Sequence, residues 1–229
     1  MIFSLYLYPH YQILYTYMNT IEKNVAKHLL KIEAVKLSPE KPFTWASGWK
    51  SPIYCDNRKI YSYPAIRREI CEYFKTIIEE RYKDVEIIAG IATGAIGYGA
   101  IVAEMMNKPF IYVRSSAKDH GLQNQVEGIL PQGAKVVVIE DLVSTGGSSL
   151  AAVDALQKNG AIIEGTIAIF SYNFDKARKG FENANVELYT LSNYDALLDE
   201  AVASNYISAA DVEMLREWRF SPDTWGRDK

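Results

Sequence analysis

Cysteine is close to absent from this 229-residue chain, with Cys55 and Cys71 its only two. Two isolated thiols make neither a disulfide framework nor a zinc site, and a reducing cytoplasm is the compartment they imply. Histidine is scarce too, at three residues, and neither His10 nor His28 has metal-ligand spacing. An excess of positive charge is missing: 25 Lys and Arg stand against 28 Asp and Glu, a net charge of −3. That balance predicts no nucleic-acid partner and no attraction to an anionic membrane, so any phosphate binding must be local. No run of 18 apolar residues occurs, which predicts no membrane span. Lys and Arg are also missing from the first 17 residues, MIFSLYLYPHYQILYTY, where five tyrosines surround Pro9. Without a basic start or a small-residue cleavage site this is no signal peptide. Met18 then opens a helical pattern, so translation is expected to start there, with residues 1–17 a non-native or disordered extension and Pro9 breaking any helix across it. Repeats and low-complexity segments are absent, and 48% hydrophobic with 23% charged residues predicts one globular domain over residues 18–229.

Against these absences stands the stretch from Lys135 to Ala152, KVVVIEDLVSTGGSSLAA. Val136 to Ile139 form a β-branched run suited to a strand buried on both faces of a parallel sheet. Leu150, Val153 and Leu156 then recur at helical spacing, with Asn159-Gly160 as the stop. The unit is strand, loop, helix, and the unpartnered backbone N–H groups of the first helical turn suit a phosphate. Gly146 and Gly147 allow close backbone approach, while the hydroxyls of Ser144, Thr145, Ser148 and Ser149 add donors. Glu140 and Asp141 would repel a phosphate, so they must face ribose hydroxyls, a metal ion or developing positive charge. A sugar phosphate satisfies both halves. An N-cap serine at an ordinary turn would explain Ser144 or Ser148 but neither the glycines nor the paired acids. GxxxxGK[ST] is absent, and a dinucleotide fingerprint would put its glycines before any acid.

Around this unit the spacing predicts a helix from Ile21 to about Leu37, then a hairpin region of short strands in FTWASGWKSPIYCDNRK. Pro64 opens a helix whose apolar face is Ile66, Ile70, Phe74, Ile77 and Ile78. Beyond it strands and helices alternate: strand 85–91, helix 95–106, strand 110–113, strand 135–139, helix 148–158, strand 162–170 and strand 186–191. Helices near 194–204 and 208–219 close the chain. Such alternation predicts an α/β fold with a mostly parallel sheet flanked by helices. The segment Arg114 to Gly133, RSSAKDHGLQNQVEGILPQG, has no periodicity, carries Arg114, Lys118 and His120, and reads either as a functional loop or as a solvated one.

IEDLVSTGGSS resembles the phosphoribosyl pyrophosphate (PRPP) motif of the type I phosphoribosyltransferases. SAKDHG beside Arg114 resembles the catalytic loop of the orotate phosphoribosyltransferases, and FTWASGWKSPIYCDNR that family's N-terminal substrate segment. The likeness runs from about Ile21 to Phe220. It implies the type I phosphoribosyltransferase fold, with a small hood at about 18–63 and a core at about 64–229. The family reaction transfers phosphoribose from PRPP to N1 of orotate, in the de novo synthesis of pyrimidines.

The resemblance also implies roles. Arg114, Lys118 and His120 match the cations that contact pyrophosphate. Lys118 and His120 lie on a loop that closes over the neighbouring subunit's site, so a homodimer is implied. They are also the candidates for protonating the leaving group, and with Asp141 they form the catalytic set. Glu140 and Asp141 match the pair on the ribose hydroxyls. Leu142, Val143, Ser144, Thr145, Gly146, Gly147 and Ser148 complete the PRPP site, and Ser144 is also placed near orotate. Mg2+ would arrive on PRPP, with no direct protein ligand. Several family cations are missing: Ala46 and the Thr93-Gly94 pair stand where lysines are common, Ser115 replaces a loop cation, and IFSYNF carries no arginine. Lys50 and Arg58 are read equally as substrate contacts or as surface residues. A phosphoribosyltransferase for another base and a PRPP-sensing regulator are the competing functions. The KDHG loop argues against the first, and the absence of a spare domain or basic surface against the second.

Overall fold

The computed structural model describes residues 9–45, 47–114 and 125–226, with side chains from residue 18 onward. Helix α1 runs Pro9–Lys31, so Pro9 opens the helix where its missing N–H costs nothing, and does not break it. The helix also ends before Leu37. Glu33 takes a left-handed φ of 53°, and Val35–Leu37 becomes strand β1, whose buried, half-buried, buried pattern has the two-residue period of a strand. β1 pairs antiparallel with β4 (Ile53–Cys55), Val35 opposite Cys55. Between them β2 (Phe43–Thr44) and β3 (Lys50–Ser51) form a hairpin in which Thr44 faces Lys50. The hairpin turns through Gly48 at φ 83°. A 3-10 helix, Asn57–Ser62, capped by the Asp56 side chain, leads into α2 (Pro64–Arg81).

The core is a six-stranded sheet in the order β10-β9-β8-β5-β6-β7, parallel except for the edge strand β7. Its elements are β5 (Ile87–Ile91), α3 (Ile96–Met105), β6 (Phe110–Val113), β7 (Val126–Glu127), β8 (Lys135–Val143) and α4 (Gly147–Lys158). They continue with β9 (Ile162–Ser171), α5 (Asp175–Asn183), β10 (Leu188–Asn193), α6 (Tyr194–Ala203) and α7 (Asp211–Phe220). Successive residues of β8 serve opposite faces. Val137 and Ile139 pack into a core with α1, α2, α3 and α6, while Val136 and Val138 pack under α4 and α5. That double burial explains why the run reads as continuously β-branched.

Three further elements differ from expectation. β8 does not stop at Ile139 but carries the acids within the strand, pairing Glu140 with Ala168 and Leu142 with Phe170. Helix α5 is not foreshadowed because DKARKGFEN is almost wholly polar and buries only Ala177 and Phe181, one turn apart. β7 is two residues on the sheet edge, too short to show a period. The strand order reverses direction between β5 and β8, so the carboxyl ends of these two strands form the crevice in which open α/β sheets bind ligands.

Candidate active site

Glu140 and Asp141 sit at the carboxyl end of β8, beside the turn 92–95 that follows β5. Glu140 is buried, at 5% exposure. Its Oε1 accepts from the Asp141 N–H at 2.9 Å and its Oε2 from Ser149 Oγ at 2.9 Å. Burial, then the neighbouring Asp141 charge, pushes the Glu140 carboxyl well above its usual range. Ser149 therefore faces inward to orient Glu140 and is not free as a phosphate donor. Asp141 is half-buried and lies across Gly94, where a Cβ would collide with its carboxylate. A residue with a side chain at 94 would displace Asp141 from this position. The Ala92–Thr93 peptide bond in this turn is cis.

Beyond the acids, Gly146 caps α4 in the left-handed region at φ 81°, and the first backbone bond of the helix runs from Leu150 N–H to Gly146 C=O. The amides of that first turn thus face the loop's open side. A Cβ on Gly146 would press on Ala177 Cα at 3.3 Å, so α5 is the wall behind the phosphate loop. Nothing stands within 4 Å of a Cβ on Gly147, and Ser148 is exposed, which leaves this face open to a ligand. The Val143 side chain is fully buried under α4, and its C=O accepts from Tyr172 N–H.

The cleft is divided in two. A cavity of about 360 Å³ is lined by Arg58, Thr93, Gly94, Glu140, Asp141 and Ser148, with Cys55 and Leu142 at one side. Cys55 and Leu142 also border a second pocket of about 250 Å³, formed by Thr44, Trp45, Tyr54, Ser144 and Tyr172. Ser144 thus lies in the aromatic pocket and Ser148 in the acidic one. Burial and the nearby Asp141 charge hold the Cys55 thiol far above its usual range, which makes it a neutral wall. Two residues not singled out from the sequence tie the hood to the core. Asn57 Nδ2 donates to the Asp141 carbonyl at 2.6 Å, and Tyr61 Oη donates to the Gly94 carbonyl at 2.5 Å. The polar CDNR run was the only signal for the first. Arg114 follows β6, where the Ala92 N–H donates to the Val113 carbonyl at 2.8 Å, and its guanidinium is 3.7 Å from Glu127. It lines neither cavity. Lys118, His120, Ser115 and Ala46 lie outside the described residues.

Residues 56–188 match the model of the phosphoribosyl transferase domain. The orotate phosphoribosyltransferase of Porphyromonas gingivalis is 55% identical over 209 residues, covering 91% of this chain and all of the relative. The chain belongs to the orotate phosphoribosyltransferase family. Solved structures agree with that membership. The orotate phosphoribosyltransferase of Aeropyrum pernix superposes with a TM-score of 0.70 at 26% identity, over 80% of this chain and 99% of that one. UMP synthase of Leishmania donovani gives a TM-score of 0.71 at 27% identity over 86% of this chain, which spans 42% of that longer protein.

Proposed function

We propose that the acidic cavity holds the ribose of PRPP and the aromatic pocket holds orotate, so that the chain transfers phosphoribose to N1 of orotate. The products are orotidine 5′-monophosphate and pyrophosphate, in de novo pyrimidine synthesis. One observation carries this reading: the two cavities share Cys55 and Leu142 as a common border, which puts a flat apolar slot for a base directly beside the paired acids. The curated relatives bear the corresponding name.

In the reaction the bond from ribose C1′ to pyrophosphate breaks, its electron pair leaving with pyrophosphate, while N1 of orotate bonds to C1′ and loses its proton. Asp141, held over Gly94, and Glu140 behind it would bind the ribose hydroxyls and favour the positive charge that builds on the ring. The open face of 144–148 would take the 5′-phosphate through backbone amides and hydroxyls. Arg114, Lys118 and His120 are assigned to pyrophosphate, the latter two as candidate acids on a loop reaching a partner subunit's site. The donor set fits Mg2+ arriving on substrate. Among the described residues no group of three or more His, Cys, Asp or Glu side chains comes together, and Mg2+ characteristically binds through phosphates and water. When bound it supplies neutralisation of pyrophosphate charge. Dimeric assembly and a cytoplasmic setting belong to the same proposal; no helix among the described residues is long and apolar enough to cross a membrane.

Loss of orotate absorbance on mixing the protein with PRPP, Mg2+ and orotate tests the reading, with uracil, hypoxanthine and adenine in parallel. Turnover of orotate alone is expected. Turnover of another base would move the specificity, and PRPP binding without turnover of any base would replace the enzyme with a sensor.

A further inference from the structure

Orotate carries a carboxylate that uracil lacks, and an anion entering an apolar slot needs a cation to meet it. Among the described residues the aromatic pocket offers none of its own: Thr44, Ser144 and its tyrosines provide only neutral hydrogen bonds. Arg58, in the neighbouring cavity, already holds Asp56 Oδ1 at 2.7 Å through its Nε. Lys50 is placed differently. It stands directly across the hairpin from Thr44, and its Nζ donates to Thr44 Oγ1 at 2.9 Å. Thr44 is a wall of the pocket, so the ammonium sits at its rim. Among the described residues Lys50 is in no ion pair.

The strand under Lys50 is fixed by the same indole that backs the pocket. Trp218 Nε1 donates to the Lys50 carbonyl at 3.2 Å, and the fully buried Trp218 ring meets Trp45 and Tyr172 edge-on at 5.6 and 5.8 Å between centroids. The backbone origin of the lysine is thereby locked relative to the aromatic walls, while its exposed stem stays free to swing inward. We propose that Lys50 is a specificity-determining residue of the base site, its ammonium pairing with the carboxylate of orotate at the Thr44 rim. The proposal rests on the orotate reading above. While the pocket is empty the ammonium stays hydrated at little cost; the pair strengthens when the base displaces water.

The test compares KM for orotate and for PRPP in the wild type, Lys50→Met and Lys50→Arg. Lys50→Met keeps the apolar stem and is expected to raise the orotate KM about 10- to 100-fold, the worth of one charge-assisted contact. The PRPP KM should move by less than about twofold, and Lys50→Arg should restore most of the orotate affinity. An unchanged orotate KM in Lys50→Met overturns the proposal. So does a rise shared equally by PRPP, or one that Lys50→Arg fails to relieve, since either would mark a collapsed hairpin. Failure of the wild type to use orotate at all appears before any variant is made, and removes the reading beneath the proposal.

Discussion

The two halves of the cleft are built on different principles. The acidic half takes its acids and Ser148 from one stretch, the junction of a strand buried on both faces with a helix N-terminus, and is walled by Arg58 and the turn after β5. The aromatic half is collected from the hairpin, β4, the end of β8 and Tyr172 after β9, and is sealed from behind by α7 through Trp218. The first positions charge with a rigid backbone. The second positions flat surfaces by packing one ring on another, with Trp218 in contact with Trp45, Tyr172, Phe174 and Tyr194. Damage to the first half should therefore appear in chemistry, and damage to the second in stability and base affinity.

The largest expected effect breaks the aromatic half. Trp218→Ala empties a fully buried site and should destabilise the fold by about 3–5 kcal/mol, read as a lowered urea midpoint. A loss under about 1 kcal/mol would mean the α7 seal is not part of the core. Next, Asp141→Asn should lower kcat by about 100- to 1000-fold, as removal of one electrostatic contact to a developing charge does. An orotate KM that rises instead, with kcat intact, would place Asp141 on the base.

How much of this was legible in the chain follows the same division. The strand, acids, glycines and helix of the acidic half could be read because they are neighbours in sequence, whereas the inward turn of Ser149 to Glu140 could not. Lys118 and His120 were read from the same kind of contiguous run, though they lie outside the described residues. The aromatic half could not be composed in advance, since Trp45, Tyr172 and Trp218 meet only after the sheet has formed. Asn57 and Tyr61 were overlooked because their partners, Asp141 and Gly94, are 84 and 33 residues away. The end of α1 was misplaced because Val35 to Leu37 continue an apolar pattern; only the left-handed turn at Glu33 separates helix from strand. Helix α5 left no apolar stripe, yet Ala177 in it supports Gly146.

Smaller effects sharpen the comparison. Asn57→Ala removes the bond to the Asp141 carbonyl and should cost about 1–3 kcal/mol of stability, with a fall in kcat because the hood no longer fixes the acid. Unchanged kcat would uncouple the hood from Asp141. Glu140→Gln should act with opposite signs on activity and stability. The folded state raises the Glu140 pKa above its ordinary value of 4.5, so the charged form opposes folding. Wild type and variant should be alike below that value. The variant should gain in relative stability as pH rises through it, and the gap should stop widening above the raised value, while activity falls throughout. Melting temperatures across pH check this, and a variant less stable at alkaline pH would contradict it.

The division of labour itself is tested most directly by one measurement: kcat/KM for orotate in the double variant Asp141→Asn with Lys50→Met, beside both single variants. If the acids serve the ribose and the hairpin serves the base, the two losses should multiply to within about twofold. A double variant no worse than the weaker single one would show that both residues act on a single element of the substrate, and the two-part cleft would be wrong.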